Sequence, residues 1–300
     1  MKQSKRTPIS LLVLSLVGLW LLLSAPAGVT QISISTDTDI FKLAAFDLDV
    51  SFVSALAFGA QVGALGASIY SVLVRNHKTP RWVVVLFAVA LVFEILVGLF
   101  AGKTMTFTSL LQGSLALAVP LIFGSLAGVL SERVGVVNIA IEGQLLAGAF
   151  VSALIASLSD NMFAGLIGAV IAGALVAWVL AVFAIKYVVD QIIVGVVLNV
   201  LVVGLTNFMF STLMVSNLPF YNQPPRFDKI LIPLLGQIPV LGPVLFNQTL
   251  IDYLMYIAVA VVYFALFKTR WGLRVRAVGE YPKAADTVGI NVFRTRYVSV

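Results

Sequence analysis

Apolar runs long enough to cross a lipid bilayer recur from one end of this chain to the other, and they constrain its fold more than any motif. A helix needs about 20 residues to span ~30 Å of hydrocarbon. Eight runs meet or approach that length: Ile9–Leu23, Phe52–Val74, Trp82–Ala101, Ser109–Leu130, Val136–Leu158, Phe163–Ile185, Ile192–Leu213 and Leu250–Phe267. A ninth begins at Tyr297, close to the last residue, Val300. A membrane strand would alternate apolar and polar residues, and these runs do not. Only 11% of the residues are charged and 60% are hydrophobic; a soluble domain is nearer a quarter charged. In water such a chain would expose large apolar patches and aggregate. The expected fold is all-α, a polytopic transmembrane helix bundle with eight to nine spans.

The charges fix an orientation. With the N-terminus in the cytoplasm and eight crossings, the inner segments hold 15 of the 19 basic residues, seven of them between Lys268 and Arg296. The outer segments hold Lys42, Lys103, Arg226 and Lys229, together with Asp37, Asp39, Asp47, Asp49, Asp160 and Asp228. That asymmetry is the positive-inside pattern of a multi-pass plasma-membrane protein. The net charge of +6 is therefore an orientation signal; nucleic acid would call for clustered basic residues with stacking aromatics on a soluble face. The first segment also reads as a secretory signal, because Lys2, Lys5 and Arg6 precede a short apolar run and then Ser24-Ala25-Pro26-Ala27. An uncleaved first helix is the reading adopted, and cleavage leaves every later helix oriented as before.

Several chemistries are excluded. The chain has no cysteine, and His77 is its only histidine. This leaves no thiolate or His-based metal site, no Ser-His-Asp triad and no thiol catalysis. Gly98 to Thr104 looks like a phosphate loop, but Val97 stands where the first glycine is required. The segment also ends a span on the outer side, away from cytoplasmic ATP.

Two loops are distinctive. The outer loop Asn217–Gln248 contains six prolines, so it cannot be one helix; its apolar stretches suit a cap or a layer on the membrane surface. The inner loop Lys268–Arg296 is basic, with a helical pattern in its middle. Pro282 fits a first helical turn, Ala284 and Ala285 favour helix, and Gly289 fits a stop. Such a helix docks in a partner's groove or rests on lipid. Small residues four apart, at Gly59/Gly63, Gly124/Gly128 and Gly165/Ala169/Gly173, are expected to let helices pack closely.

Polar groups at membrane depth are the candidate solute contacts. Glu94 lies in the middle of the third span, and Gln112, Gln144, Asn199 and Asn207 are amides within spans. Each amide either bonds helix to helix or reads a polar ligand. The stretch from Ser131 to Gln144 carries the most information. Gly135 allows a break between two spans, and the spacing of Asn138 and Glu142 predicts that they share a helix face. A break that lines a cavity presents backbone dipoles to a ligand. The expected pathway residues are Gln112, Asn138, Glu142, Gln144 and Asn199.

At these residues the chain resembles a known group. Ser131-Glu132-Arg133-x-Gly135-Val-Val-Asn138-Ile-x-x-Glu142-Gly143 is similar to the branched-chain amino acid and simple-sugar permeases of ABC importers. Within that group it looks most like a membrane subunit of bacterial nucleoside importers. Asp190-Gln-Ile-Ile-Val-Gly195 with Asn199, Ile232-Pro233 through Pro243, and Arg270-Trp-Gly-Leu-Arg-x-Arg-Ala-Val-Gly279 extend the likeness. Glu280, Ala284-Ala285 and Gly289-Ile290 resemble the cytoplasmic coupling loop of such subunits. The resemblance implies residues 109–300 as the permease core, with coupling loop 268–296, and 1–108 as an N-terminal extension of about three spans. Gly279, Glu280, Ala284, Ala285, Asp286 and Gly289 would engage the ATPase. Members of the group continue past this loop, so a C-terminally truncated sequence is expected.

The resemblance also implies partners: a cytoplasmic ATPase subunit that hydrolyses the ATP, a second permease subunit, and an extracellular or lipid-anchored solute-binding protein, all within membrane lipid. The chain itself would be no enzyme and hold no cofactor, metal or nucleic acid. Its small-molecule solute would be a nucleoside, with simple sugars, purines or related solutes as the alternative. A secondary transporter with Glu94 or Glu142 carrying protons is the alternative of a different class, and the coupling-loop pattern argues against it. An intramembrane enzyme is the weakest reading, because those two carboxylates are far apart in sequence with no histidine near either.

Overall fold

The computed structural model describes residues 6–35 and 39–300; Lys2, Lys5 and Asp37, used above for orientation, lie outside the described residues. Within them, eight helices are long and apolar enough to cross a membrane, matching the eight runs read from the sequence. The chain is a multi-pass membrane protein. It divides into two compact units, one formed by the residues up to Gln112 with Ile232–Phe246, the other by Gly113–Leu231 with Asn247–Val300.

The first unit contains α1 (Arg6–Leu23), α2 (Val50–Ile69), α3 (Arg81–Leu99) and the start of α4 (Phe107–Arg133). Leu11 of α1, Ala64 of α2, and Val83 and Phe87 of α3 form one apolar core. At the other end of the α2–α3 pair, Val50, Val53 and Val97 form a second. The connecting segments build a small sheet that the sequence reading did not foresee. β1 (Val29–Ser33) pairs antiparallel with β2 (Phe46–Asp49) and parallel with β3 (Thr104–Thr106). These strands lie outside the spans, so the apolar runs gave no sign of them. Thr30 Oγ1 ties the sheet to α3 by donating to the Val97 carbonyl at 3.0 Å. Asp49 caps α2 by accepting from Phe52 N at 2.9 Å. Glu94 is buried and accepts a hydrogen bond from Gln61 Nε2 at 2.6 Å. A buried carboxyl bonded to an amide on the neighbouring helix fixes how the two helices meet.

The second unit holds the rest of α4, then α5 (Ile141–Ser159), α6 (Met162–Ala181), α7 (Gln191–Met209), the one-turn α8 (Leu218–Tyr221), and α9 (Leu250–Lys268). Three shorter helices follow: α10 (Arg270–Glu280), α11 (Pro282–Thr287) and α12 (Val292–Ser299). β4 (Lys229–Leu231) pairs antiparallel with β5 (Asn247–Thr249). α5 and α6 form a hairpin in which Asn161 caps α6 through Phe163 N and Ala164 N. The small-residue expectation holds there: a Cβ on Gly165 would sit 2.8 Å from the Ser152 carbonyl oxygen. Gly124 and Gly128 likewise meet Ile141. It fails at Gly59 and Gly63, which face nothing within 4 Å; spacing marks a small surface but not which side of the helix is occupied.

Three boundaries differ from expectation. The fifth span begins at Ile141 rather than Val136, because Gly135 adopts φ +82° and the residues after it are not helical. The last helix begins at Val292 rather than Tyr297, with the Asn291 side chain accepting from Arg294 N at 2.8 Å. Between α9 and α11 an 11-residue amphipathic helix, α10, occupies what was read as basic flank.

Candidate functional site

The candidate site is the break between α4 and α5. After Arg133 the chain turns tightly: Gly135 N donates to the Glu132 carbonyl at 3.0 Å and Val136 N to the Ser131 carbonyl at 2.9 Å. Residues 136–138 then run without helix to Ala140, the N-cap of α5. An alanine cannot cap with its side chain, so the first N–H groups of α5 need other partners. Side chains from nearby take over. Asn138 Oδ1 accepts from Ala140 N at 3.1 Å. Asn199, from the middle of α7, accepts from Gly143 N at 2.8 Å and donates Nδ2 to the Ile139 carbonyl at 2.9 Å. Gln191, at the start of α7, accepts from Val137 N at 2.6 Å.

α7 is able to come this close because of Gly195, one turn before Asn199. A Cβ there would lie 2.7 Å from Ile139 Cβ. Gly143 is similarly constrained, its Cβ position being 2.9 Å from Asn199 Oδ1. Asp190 starts α7 by accepting from Ile192 N and Ile193 N.

Asn138, 6% exposed, also faces Gln144 amide to amide: its Nδ2 lies 3.3 Å from Gln144 Oε1, and Gln144 Nε2 lies 3.5 Å from Asn138 Oδ1. These are long contacts, and an amide pair of this kind offers both donors and acceptors that a polar solute can take over. Asn199 differs, since both ends of its amide are committed to backbone groups at short distance.

Of the five expected pathway residues, the structure brings together Asn138, Gln144 and Asn199. Glu142 does not join them. The shared helix face predicted for Asn138 and Glu142 is incorrect, because Asn138 precedes the helix; Glu142 lies exposed in the first turn of α5. Gln112 belongs to the first unit, where its Nε2 donates to the Pro243 carbonyl at 2.7 Å. Asn207 is exposed on α7. Sequence reasoning missed Gln191, although it stood in a quoted motif beside a helix-starting aspartate.

The cluster contains amides and backbone groups and no carboxylate, so it suits binding rather than proton transfer or nucleophilic attack. Among the described residues no group of three or more His, Cys, Asp or Glu is placed to hold a metal ion. A cavity of about 510 Å³ lined by Ile171, Leu175, Trp178, Tyr297 and Val300 contains none of the cluster. Its walls are mostly apolar and offer a polar solute few hydrogen bonds.

On the other side of the break stands the segment expected to engage a partner. α11 covers Pro282–Thr287 with Pro282 in its first turn, and Gly289 at φ +84° ends it, with Ile290 N donating to the Ala285 carbonyl at 3.0 Å. Ala285 is buried against the chain's own core, whereas Glu280, Ala284, Asp286 and Gly289 are exposed and Gly279 is half-buried.

Known proteins resemble this chain over its later two thirds. The chain is 42% identical over 203 residues to the guanosine ABC transporter permease protein NupQ of Bacillus subtilis, covering 64% of this chain and 62% of that one. It is 38% identical over 203 residues to the nucleoside ABC transporter permease protein NupC of Lactococcus lactis, covering 65% and 63%. A putative glucose ABC transporter permease protein of Haloferax volcanii is 34% identical over 195 residues, covering 64% and 57%. The chain thus spans less than two thirds of the length of each of these relatives. No solved structure matches it significantly. Residues 110–300, which include the break, the amide cluster and α9 to α12, match the family of the branched-chain amino acid transport system permease component, and the chain belongs to that family.

Proposed function

We propose that this chain is a pore-forming membrane subunit of an ATP-driven importer for nucleosides. The amide cluster at the α4–α5 break carries the reading, because it is a polar, uncharged recognition surface within the family region. A nucleobase edge presents donors and acceptors side by side, as the Asn138–Gln144 pair does. In this proposal Asn138 and Gln144 touch solute, Asn199 positions them, and Glu142 lies at the entrance with its carboxylate near the positive end of α5. Residues 109–300 form the permease core and 1–108 an extension.

The N-terminus and α10 to α12 lie in the cytoplasm, on the strength of the basic asymmetry. A cytoplasmic ATPase docks on the exposed residues of Glu280–Gly289, a second permease subunit completes the pathway, and an extracellular binding protein delivers solute. The names of the guanosine and nucleoside permease relatives support nucleosides; the glucose permease relative keeps sugars as the competing solute.

The test is uptake of labelled guanosine by the importer assembled from this subunit and its partners. Unlabelled nucleosides should compete and glucose should not. Asn138→Ala should lower uptake at normal expression. Normal uptake by that variant, or competition by glucose alone, would overturn the assignment.

A further inference from the structure

A cavity of about 490 Å³ opens between α10 and α12, a volume within the range of small-ligand sites. Its polar side chains are Trp271 and Arg274 of α10, Asn291 in the turn before α12, and Arg294 and Thr295 of α12. Donors dominate this lining. Each guanidinium offers several N–H groups and no acceptor, and an indole offers an N–H alone. Asn291 Oδ1 accepts from Arg294 N at 2.8 Å, which leaves the amide NH2 as a further donor.

No carboxylate lines the cavity. Among the described residues neither Arg274 nor Arg294 forms an ion pair or a side-chain hydrogen bond. Arg276 of the same segment is engaged within the chain, its guanidinium lying 5.6 Å from the centre of the Phe267 ring. Two uncompensated cations on one concave surface repel each other, and an anion that accepts from both removes that cost.

The remaining walls are apolar. α9 ends at Lys268 and α10 begins at Arg270, so Trp271 stands just past a span, where indole rings favour the membrane surface. The same two helices expose Leu273, Phe293 and Val298. Orientation by basic residues requires charge on one side of the membrane; it requires no cavity and no tryptophan.

We infer that this cavity binds a phosphate ester, with Arg274 and Arg294 donating to its oxygens and Trp271 packed beside it. That chemistry is shared by an anionic lipid headgroup and a soluble phosphate compound, and the apolar flank suits the lipid. The site is distinct from the amide cluster at the break and does not depend on which solute is carried.

Two probes of the purified protein test this. In the first, the protein in detergent is mixed with equal amounts of phosphatidylglycerol and phosphatidylcholine, and the lipid it retains is read by native mass spectrometry. In the second, inorganic phosphate is titrated against tryptophan fluorescence. The parent should retain phosphatidylglycerol in preference. Arg274→Gln and Arg294→Gln should each weaken that retention about tenfold, the effect of losing a charged hydrogen-bond partner. Arg294→Lys, which keeps the charge and loses the fork, should fall between. Arg270→Gln, exposed and outside the lining, should change retention by about twofold at most. All four substitutions are at exposed side chains, and unchanged unfolding temperatures confirm that the fold is kept. A response to inorganic phosphate without lipid preference, lost in the same two glutamine variants, would identify a soluble phosphate compound as the ligand. Equal effects of Arg270→Gln and Arg274→Gln would reduce the site to diffuse surface charge, and a parent that distinguishes neither probe would remove it; either result overturns the inference.

Discussion

Asn199→Ala is the most informative single perturbation, because two backbone groups lose their partners at once. The Gly143 N–H is one of the orphan donors of α5, and the N-cap residue Ala140 makes no side-chain cap. Asn199 Oδ1 fills that role at 2.8 Å. Loss of a cap costs about 1–2 kcal/mol. The Ile139 carbonyl loses its 2.9 Å bond from Asn199 Nδ2, which adds about 1 kcal/mol. The expected destabilisation is therefore roughly 2–3 kcal/mol, or several degrees in the unfolding temperature of the purified protein. Asn207→Ala is the internal control: it removes the same group from the same helix at an exposed position, where about ±0.5 kcal/mol is usual. Thermal unfolding followed by tryptophan fluorescence reads both. Equal shifts for the two variants would refute the remote-cap argument and leave Asn199 as an ordinary membrane amide.

The other expectations follow from neighbouring contacts. Gly195→Ala should destabilise by about 1–3 kcal/mol because its Cβ meets Ile139, while Gly204→Ala on the same helix faces open space and should be neutral or slightly stabilising; equal unfolding temperatures would contradict the close approach of α7. Gln61→Ala should cost about 1–3 kcal/mol by leaving the buried Glu94 carboxyl without its partner, and an unfolding temperature matching the parent would speak against that bond. Single cysteines at His77 and Asn222 should label from opposite sides of the membrane, and labelling of both by an impermeant reagent in intact cells would defeat the proposed orientation. The bonds from Ser51 Oγ and Phe52 N hold the Asp49 carboxyl below its ordinary value. Its cap on α2 therefore contributes above the unfolded carboxylate range and fades as pH falls through the lower folded value. The stability gap between the parent and Asp49→Ala should narrow in acid; a gap that widened would reverse the sign of the argument.

The spans were legible because burial in lipid demands length and apolarity, and both are written in the composition of each run. The small sheet of β1, β2 and β3 was not legible. Its strands are three to five residues long, and its pairing joins segments that flank α2 and α3, so no local pattern reports it. α10 was obscured differently. Arg270, Arg274 and Arg276 dominate its composition, while the buried side is carried by Gly272, Val275 and Val278 alone. A glycine at 272 looks like a helix breaker, yet it lies within 2.5 Å of the Ala265 and Leu266 carbonyls by its Cβ position, where a side chain would prevent α10 from folding back on α9.

The misplaced start of α5 shows why the candidate site was only half readable. The run from Val136 to Leu158 is apolar almost throughout, so helical periodicity has no contrast with which to mark where the helix begins. Accounting for backbone donors does have that contrast. The early N–H groups of a helix lack intrahelical partners, and polar side chains supply acceptors at helix starts along this chain: Asp49 for α2, Asn161 for α6, Asp190 for α7, Thr269 for α10 and Asn291 for α12. By that rule a lone Asn138 ahead of an apolar run marks a cap and not a residue one turn inside the helix. The rule also separates the two carboxylate and amide positions that spacing had joined. Asn138 belongs to the break and turns inward to Ala140 and Gln144, while Glu142 belongs to the first turn of α5 and turns outward. What no local rule supplies is Asn199: its acceptor and donor groups meet residues 56 and 60 positions away, and only the packing of α7 against the break, permitted by Gly195, brings them into reach.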